Sequence, residues 1–308
     1  MTLHHIVAAK HGDLYARGQR ALIPAPGHSV WDRSVSLLIG RTGRVIVHSF
    51  GGATVREILA DLEASGLIDA QGFPLNGPSA RTAPSQPLAP RARRERAAAL
   101  WRQTIPLKGA LSADYLKQHR AINRPADQIG ALRHHPACPL SAYDPRCRRT
   151  RPALVACLND ADGRLTAVEL TYLTDTGRRD FTLRTSRKLI GTVPAGSGVA
   201  LDAAAPHMLV GEGVMTVLSA CERYALPGHA CLSAHNLSTF QPHTEMRSLV
   251  IAADRGPAGE SAAAILSARL RSAGLLVDVR LPPEPYDDFN SWAQAEAREK
   301  GRAGVGDV

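Results

Sequence analysis

Apolar positions in the last hundred residues fall into short continuous runs separated by stretches of helical spacing. Met208-Leu-Val, Leu249-Val-Ile-Ala-Ala and Leu275-Leu-Val-Asp-Val-Arg-Leu read as strands. Between them, Gly213 to Tyr224 carries Val214, Val217, Leu218 and Cys221 on one helical face, and Leu226-Pro227-Gly228 stops it. A short strand, Ala230-Cys-Leu-Ser-Ala, is expected next. Pro257 to Ala273 repeats the helical pattern, with Ala263, Ile265, Leu266 and Leu270 apolar, proline near the start and Gly274 as the stop. Such alternation predicts an open, mainly parallel α/β sheet whose ligands gather at the carboxyl ends of the strands.

Upstream the pattern changes to antiparallel β. Ala153-Leu-Val-Ala-Cys-Leu and Leu165-Thr-Ala-Val-Glu-Leu-Thr-Tyr-Leu flank the turn sequence Asn159-Asp-Ala-Asp-Gly163. That turn is not a calcium loop, because the bidentate glutamate would fall near Thr171. Nearer the amino terminus, Ser34 to Ile39 and Arg44 to Ser49 predict a hairpin about Gly40-Arg-Thr-Gly43, followed by a helix bearing Val55, Ile58 and Leu59. From Gln71 to Arg91 the chain is rich in Pro, Gly, Ser and Ala and reads as a linker. Gly191-Thr-Val-Pro-Ala-Gly-Ser-Gly198 is glycine-rich without a Walker lysine or a dinucleotide fingerprint and reads as a loop. The organisation expected is residues 1–70, a linker and basic segment 71–100, a helical and antiparallel region 101–200, and the α/β domain 201–308.

Three acidic residues carry the candidate chemistry. Glu212, Asp254 and Asp288 each follow an apolar run, so a parallel sheet would gather them at one edge. Clustered carboxylates repel one another and imply a bound divalent cation or a shifted pKa. Taken singly, each also reads as a helix N-cap or a solvated loop charge.

These residues resemble the motifs of Toprim domains in phage and plasmid primase-like proteins. Met208-Leu-Val-Gly-Glu-Gly is similar to the first motif, Leu249-Val-Ile-Ala-Ala-Asp-Arg-Gly to the second, and Pro282-Pro-Glu-Pro-Tyr-Asp-Asp-Phe-Asn-Ser-Trp to the acidic ending. The resemblance implies Mg²⁺ or Mn²⁺ held by Glu212, Asp254 and Asp288, with Glu212 and Asp254 catalytic. The activity it implies is primase-like nucleotidyl transfer on single-stranded DNA, with nucleotides as substrates and a helicase or other replication protein as partner. A metal-dependent nuclease is the enzymatic alternative, and a decayed Toprim protein serving as a DNA-binding or replication scaffold is the other. The chain departs from the pattern at Gly256, where the second aspartate of Asp-x-Asp would stand, and at Met215, where relatives often carry an acid.

The amino-terminal region resembles the zinc ribbon of primases through Ala25-Pro-Gly-His28, Asp32-Arg-Ser-Val-Ser-Leu and the strand ending Val47-His-Ser. The ligand positions are Ala25, His28, Ser49 and Gly52, of which one can bind metal, so no zinc is expected. Leu111 to Gln118, with Tyr115 and Leu116, resembles the "A-x-x-Y-L-x-x-R" helix of the same proteins. His134-His-Pro-Ala-Cys138 and Cys147 match no common zinc spacing and read as a polar loop.

Charge is consistent with an anionic partner. The 308 residues carry 37 Lys and Arg against 28 Asp and Glu, a formal net charge of +9. Only five are lysine, leaving 32 arginines, a bias that a GC-rich genome also produces. Arg91, Arg93, Arg94, Arg96 and Arg102 make the segment after the linker densely basic and are the candidate nucleic-acid contacts, although a solvated helix face reads the same way. Five cysteines without paired motifs, no secretory leader and no long apolar span predict a reduced cytoplasmic protein with no membrane partner.

Overall fold

The computed structural model describes residues 3–30, 32–75, 88–144, 147–183 and 185–303. Most of the expected linker, residues 76–87, lies outside them. Two compact units are present, Met1–Pro87 and Leu88–Val308.

In the first unit the elements are α1 (His4–Ala9), β1 (Asp13–Tyr15), β2 (Arg20–Ile23), β3 (Val35–Ile39), β4 (Val45–Ser49) and α2 (Val55–Ala64). The strands form one antiparallel sheet in the order β1-β2-β3-β4. The predicted hairpin is β3 and β4, with Ile39 opposite Val45 and Leu37 opposite Val47. Alternation places Val35, Leu37 and Val45 inward, against Ile58 and Leu62 of α2 and Leu3 and Ile6 of α1. The first turn of α2 is fixed by a capping box, in which Thr54 and Glu57 satisfy each other's backbone N–H groups.

Of the four zinc-ligand positions, Ala25 is buried while His28 is exposed and sits 3.2 Å from Asp32. Asp32 is the knot of this loop. Its carboxylate accepts from the Ala25 N–H at 2.9 Å, the Ser34 N–H at 3.1 Å and the Ser34 hydroxyl at 2.6 Å. Burial alone would raise the Asp32 pKa, but the hydrogen bonds from Ser34 and Ala25, with His28 nearby, bring it below the usual value.

The second unit begins with α3 (Pro90–Arg102) and the short α4 (Leu111–Asp114). An antiparallel sheet follows in the order β5-β6-β7-β8, formed by β5 (Leu132–Pro139), β6 (Thr150–Asn159), β7 (Leu165–Tyr172) and β8 (Arg187–Gly191). The remaining elements are β9 (Val199–Ala200), β10 (His207–Gly211), α5 (Val214–Tyr224), β11 (Gly228–Ala230), α6 (Ala234–Ser238), β12 (Ser248–Ala252), α7 (Pro257–Ser272), β13 (Leu276–Arg280) and α8 (Phe289–Ala303). Their sheet runs β13-β12-β10-β11-β9, with all pairs parallel except β9 with β11. The fold is thus the α/β class expected, a mainly parallel sheet preceded by antiparallel ones.

Three local expectations are corrected. The strand at Ala230–Ala234 is instead β11, ending at Ala230, because the Ser233 side chain caps the Asn236 N–H and starts α6. His134 and His135 lie in β5 rather than a polar loop, both buried, with a register shift before Cys138. His134 is accommodated because its Nδ1 meets the Ser112 hydroxyl at 2.8 Å. Asp288 does not directly follow β13 but caps α8, where its Oδ1 accepts from the Ser291 N–H at 2.6 Å.

Residues of both sheets share one core. Leu154, Ala156, Leu158 and Ala167 of β6 and β7 pack in the same cluster as Leu209 of β10, Val217 and Leu218 of α5, and Phe289 of α8. On the opposite face of the first sheet, Val155, Val168, Leu170 and Tyr172 pack with Ala97 and Leu100 of α3. The second sheet buries Val210, Leu249 and Ile251 beneath Ala263, Leu266 and Leu270 of α7. Among the described residues, no helix is long and apolar enough to cross a membrane.

Candidate active site

At the carboxyl ends of β10 and β12 the chain opens a cavity of about 420 Å³. Glu212 stands one residue beyond β10, Asp254 two beyond β12, and Asp288 at the start of α8; all three line it. Close approach of the two strands requires Gly211, since a Cβ there would lie 2.8 Å from the Ala252 carbonyl oxygen. Beside Glu212 the backbone is strained: Leu232, with φ of +63°, lines the cavity and donates its N–H to the Glu212 carbonyl at 2.8 Å.

Electrostatics follow from this convergence. Asp254 is pushed up to about 7, first by burial, then by the charges of Asp288 and Glu212, while a hydrogen bond from Thr216 works the other way. Its Oδ1 is buried with no hydrogen-bond partner. Burial also raises Glu212, against the pull of Arg187. A buried anionic oxygen lacking a donor, beside two further carboxylates, is an all-oxygen donor set suited to a hard divalent cation. Among the described residues, however, no three His, Cys, Asp or Glu side chains are grouped closely enough to hold a metal as they stand. The position where a further carboxylate would have stood is Gly256, whose φ of +108° few L-residues adopt.

Facing the acids is a wall that sequence reasoning missed. Arg120, Arg179 and Arg187, with Glu169 and Thr171, come from the antiparallel half of the unit and line the same cavity. Alternation in β7 explains their placement: Val168, Leu170 and Tyr172 point toward α3, so Glu169 and Thr171 point the other way. Arg187 lies opposite Thr171 on β8, with its Nη1 3.9 Å from Glu169 Oε2. Arg179 is held by the Ser186 hydroxyl at 2.8 Å. Polar residues at alternate positions of an otherwise apolar strand were the available signal.

Arg120 reaches the cavity through an irregular turn. Residues Tyr115–His119 form a π-helix, and the Arg120 Nε donates to the Tyr115 hydroxyl five residues back, at 2.7 Å. Asn290, next but one to Asp288, donates to the Arg120 carbonyl at 2.7 Å and to the Ser219 hydroxyl at 2.9 Å.

The basic helix proposed from sequence lies elsewhere. Arg91, Arg93, Arg94 and Arg102 of α3 are exposed, and Arg91 pairs with Glu95 at 2.8 Å. Arg96 is partly buried and bonds the Ala142 carbonyl. Because α3 covers the Val168 face of the sheet, these arginines are separated by that sheet from the cavity.

A mainly parallel sheet with carboxylates beyond two of its strands and a third at the start of the closing helix defines a class of acidic-site α/β domain. Residues 207–299 match the Toprim domain family, so the chain carries a Toprim domain at the sheet that bears Glu212, Asp254 and Asp288. Residues 91–201 match a family described as a domain of unknown function (DUF7146). No curated protein matches the chain in sequence. Among solved structures, the chain is similar to the Aquifex aeolicus primase zinc-binding and RNA polymerase domains, at 14% identity over 98% of this chain and 82% of that one, with a TM-score of 0.44. It is also similar to the primase fragment of the bacteriophage T7 primase-helicase protein, at 13% identity over 60% and 72%, with a TM-score of 0.38. A DNA primase domain from Pseudomonas aeruginosa matches at 17% identity over 62% of each chain, with a TM-score of 0.35.

Proposed function

We propose that this protein is a primase-like nucleotidyltransferase that joins nucleotides on single-stranded DNA at its Toprim site. The observation that carries the reading is one cavity lined by Glu212, Asp254 and Asp288 from the Toprim sheet and its closing helix, together with Arg120, Arg179, Arg187 and Glu169 from the preceding region. Glu212, Asp254 and Asp288 would hold Mg²⁺ or Mn²⁺, which when bound neutralises phosphate charge and orients the reacting oxygens. The orphaned Asp254 Oδ1 supports that assignment. With few protein ligands, the cation would keep part of its water shell, as Mg²⁺ commonly does.

The chain's own residues divide the remaining work. Arg120, Arg179 and Arg187 bind and orient the phosphates of the incoming nucleotide, each already aimed by a neighbour: Tyr115, Ser186 and Glu169 respectively. Thr216 orients Asp254. Arg91, Arg93, Arg94, Arg96 and Arg102 belong to a separate surface, for which a role in holding template backbone is proposed. The setting proposed is cytoplasmic, in keeping with five unpaired thiols.

Labelled ribonucleotides supplied with a single-stranded template and Mg²⁺ test the reading. Short labelled oligomers that disappear in Glu212→Gln support it, whereas shortening of the template identifies a nuclease. A second reading, a DNA-binding scaffold that has lost catalysis, is favoured by Gly256 and Met215. It predicts neither product, no rise in Tm with Mg²⁺ or Mn²⁺, and DNA binding indifferent to Glu212→Ala.

A further inference from the structure

The geometry points to self-association through β13, the outer strand of the Toprim sheet, with a second copy of this chain pairing antiparallel about a two-fold axis at Val279. Among the described residues, β13 stands at the end of the strand order and pairs with β12 alone. The phase of that ladder is fixed at both ends. Leu276 donates its N–H to the Arg247 carbonyl, and the Arg280 carbonyl accepts from the Ala253 N–H. Residues 276, 278 and 280 therefore bond inward, and 277, 279 and 281 present their backbone groups to the open edge.

A partner strand centred on Val279 satisfies these groups in register. Val279 would exchange both hydrogen bonds with its own copy, and Val277 would exchange both with Leu281 of the other chain. Arg271 already donates to the Val277 carbonyl, from Nε at 3.2 Å and Nη2 at 2.7 Å. Both donors meet one oxygen, so the exposed Arg271 side chain has to swing aside before Leu281 of the other copy donates there.

Charge selects the same register. Asp278 and Arg280 are half exposed on one face of β13 and pair with each other at 2.6 Å. Turning a second copy about Val279 sets each Asp278 opposite the other copy's Arg280, in the closely spaced non-hydrogen-bonded positions where opposite charges favour pairing. Leu276, 73% exposed, falls opposite Pro282, at a rung that needs no N–H from proline. Single charges often guard a sheet edge against pairing. Here the two charges are arranged to complement themselves, and a two-fold contact of this kind closes at two copies.

Sedimentation equilibrium of the full chain and of charge variants tests the proposal. The unaltered protein is expected to dimerise reversibly with concentration. Asp278→Arg alone and Arg280→Asp alone should each weaken the dimer roughly tenfold or more, since like charges then oppose each other twice. Mixing these two variants should restore a dimer, a heterodimer, because every facing pair is again opposite in sign. The double variant Asp278→Arg with Arg280→Asp should regain self-association. The idea is overturned if the unaltered protein stays monomeric at the highest concentration reached, or if a dimer forms but is indifferent to either reversal. Unchanged circular dichroism of the single variants separates lost pairing from lost folding.

Discussion

Glu169 of β7 and Arg187 of β8 stand diagonally across one strand pair, Oε2 to Nη1 3.9 Å, on the sheet face that looks into the acidic cavity. Arg187 also bears electrostatically on Glu212. One guanidinium thus serves carboxylates contributed by both halves of the unit. Replacing it with a neutral side chain should weaken phosphate binding and leave Glu212 harder to ionise. For Arg187→Gln we expect nucleotide affinity to fall at least about tenfold, the loss of one charge-assisted contact of roughly 1.4 kcal/mol or more. Isothermal titration with a non-hydrolysable nucleoside triphosphate reads this; unchanged affinity would remove Arg187 from the phosphate site.

Asp254 makes stability depend on pH in the direction opposite to most carboxylates. Its folded pKa, about 7, lies above the ordinary 3.8, so between those values the folded state holds a proton that the unfolded state has released. The stabilising contribution is fully present below about pH 4 and is lost as pH rises through 7. Without divalent cation, Asp254→Asn should therefore flatten the fall in Tm between pH 5 and pH 8. Mg²⁺ should raise the Tm of the unaltered protein more at pH 8 than at pH 5, because a cation must displace that proton. Melting curves at the two pH values, with and without Mg²⁺, check both statements.

Gly256→Asp, which supplies the acid that Toprim relatives carry, should not strengthen metal binding. The backbone there has φ of +108°, so an L-residue is strained by about 1–2 kcal/mol even though nothing lies within 4 Å of the added Cβ. We expect a lower Tm and Mg²⁺ affinity no better than that of the unaltered chain. A clear gain in affinity would mean that the 254–257 turn readjusts freely.

In the first unit, Asp32→Asn should loosen the loop carrying Ala25 and His28. An amide can retain some of the contacts with Ala25 and Ser34 but loses the charge, a destabilisation of about 1–2 kcal/mol. Because the Asp32 pKa is lowered on folding, its contribution is present above the ordinary value of 3.8 and is lost as pH falls through the folded one. Amide exchange at Ala25 and Ser34 is the direct measurement, and faster exchange at those two sites is the expected result.

Much of the Toprim sheet was legible because β10 and β12 are continuous apolar runs and the long helices α5 and α7 each have a clean stop, whereas the short α6 hid behind Ala230-Cys-Leu-Ser-Ala. Met208 to Gly211 and Ser248 to Ala252 could hardly fold otherwise, and an acid placed just after each must then arrive at the same edge. The arginine wall was hidden for the converse reason. Arg120, Arg179 and Arg187 stand among 32 arginines, and what selects them is which face of β7 looks inward and a π turn that swings Arg120 over Tyr115. Short segments such as β1, β2 and β9 lack enough residues to declare a period. His134 and His135 misled because polar residues are ordinarily outside, whereas a single bond to Ser112 lets one stay within.

Asn290 gives its amide to the Arg120 carbonyl across 170 positions of chain. Severing the polypeptide between the DUF7146 region and the sheet that follows would leave each fragment with part of one charged chamber. One piece would keep Glu212, Asp254 and Asp288 without the guanidinium groups, the other Arg120, Arg179 and Arg187 with Glu169 alone to offset them, and mixing the two should restore order through that mutual attraction as much as through apolar contact.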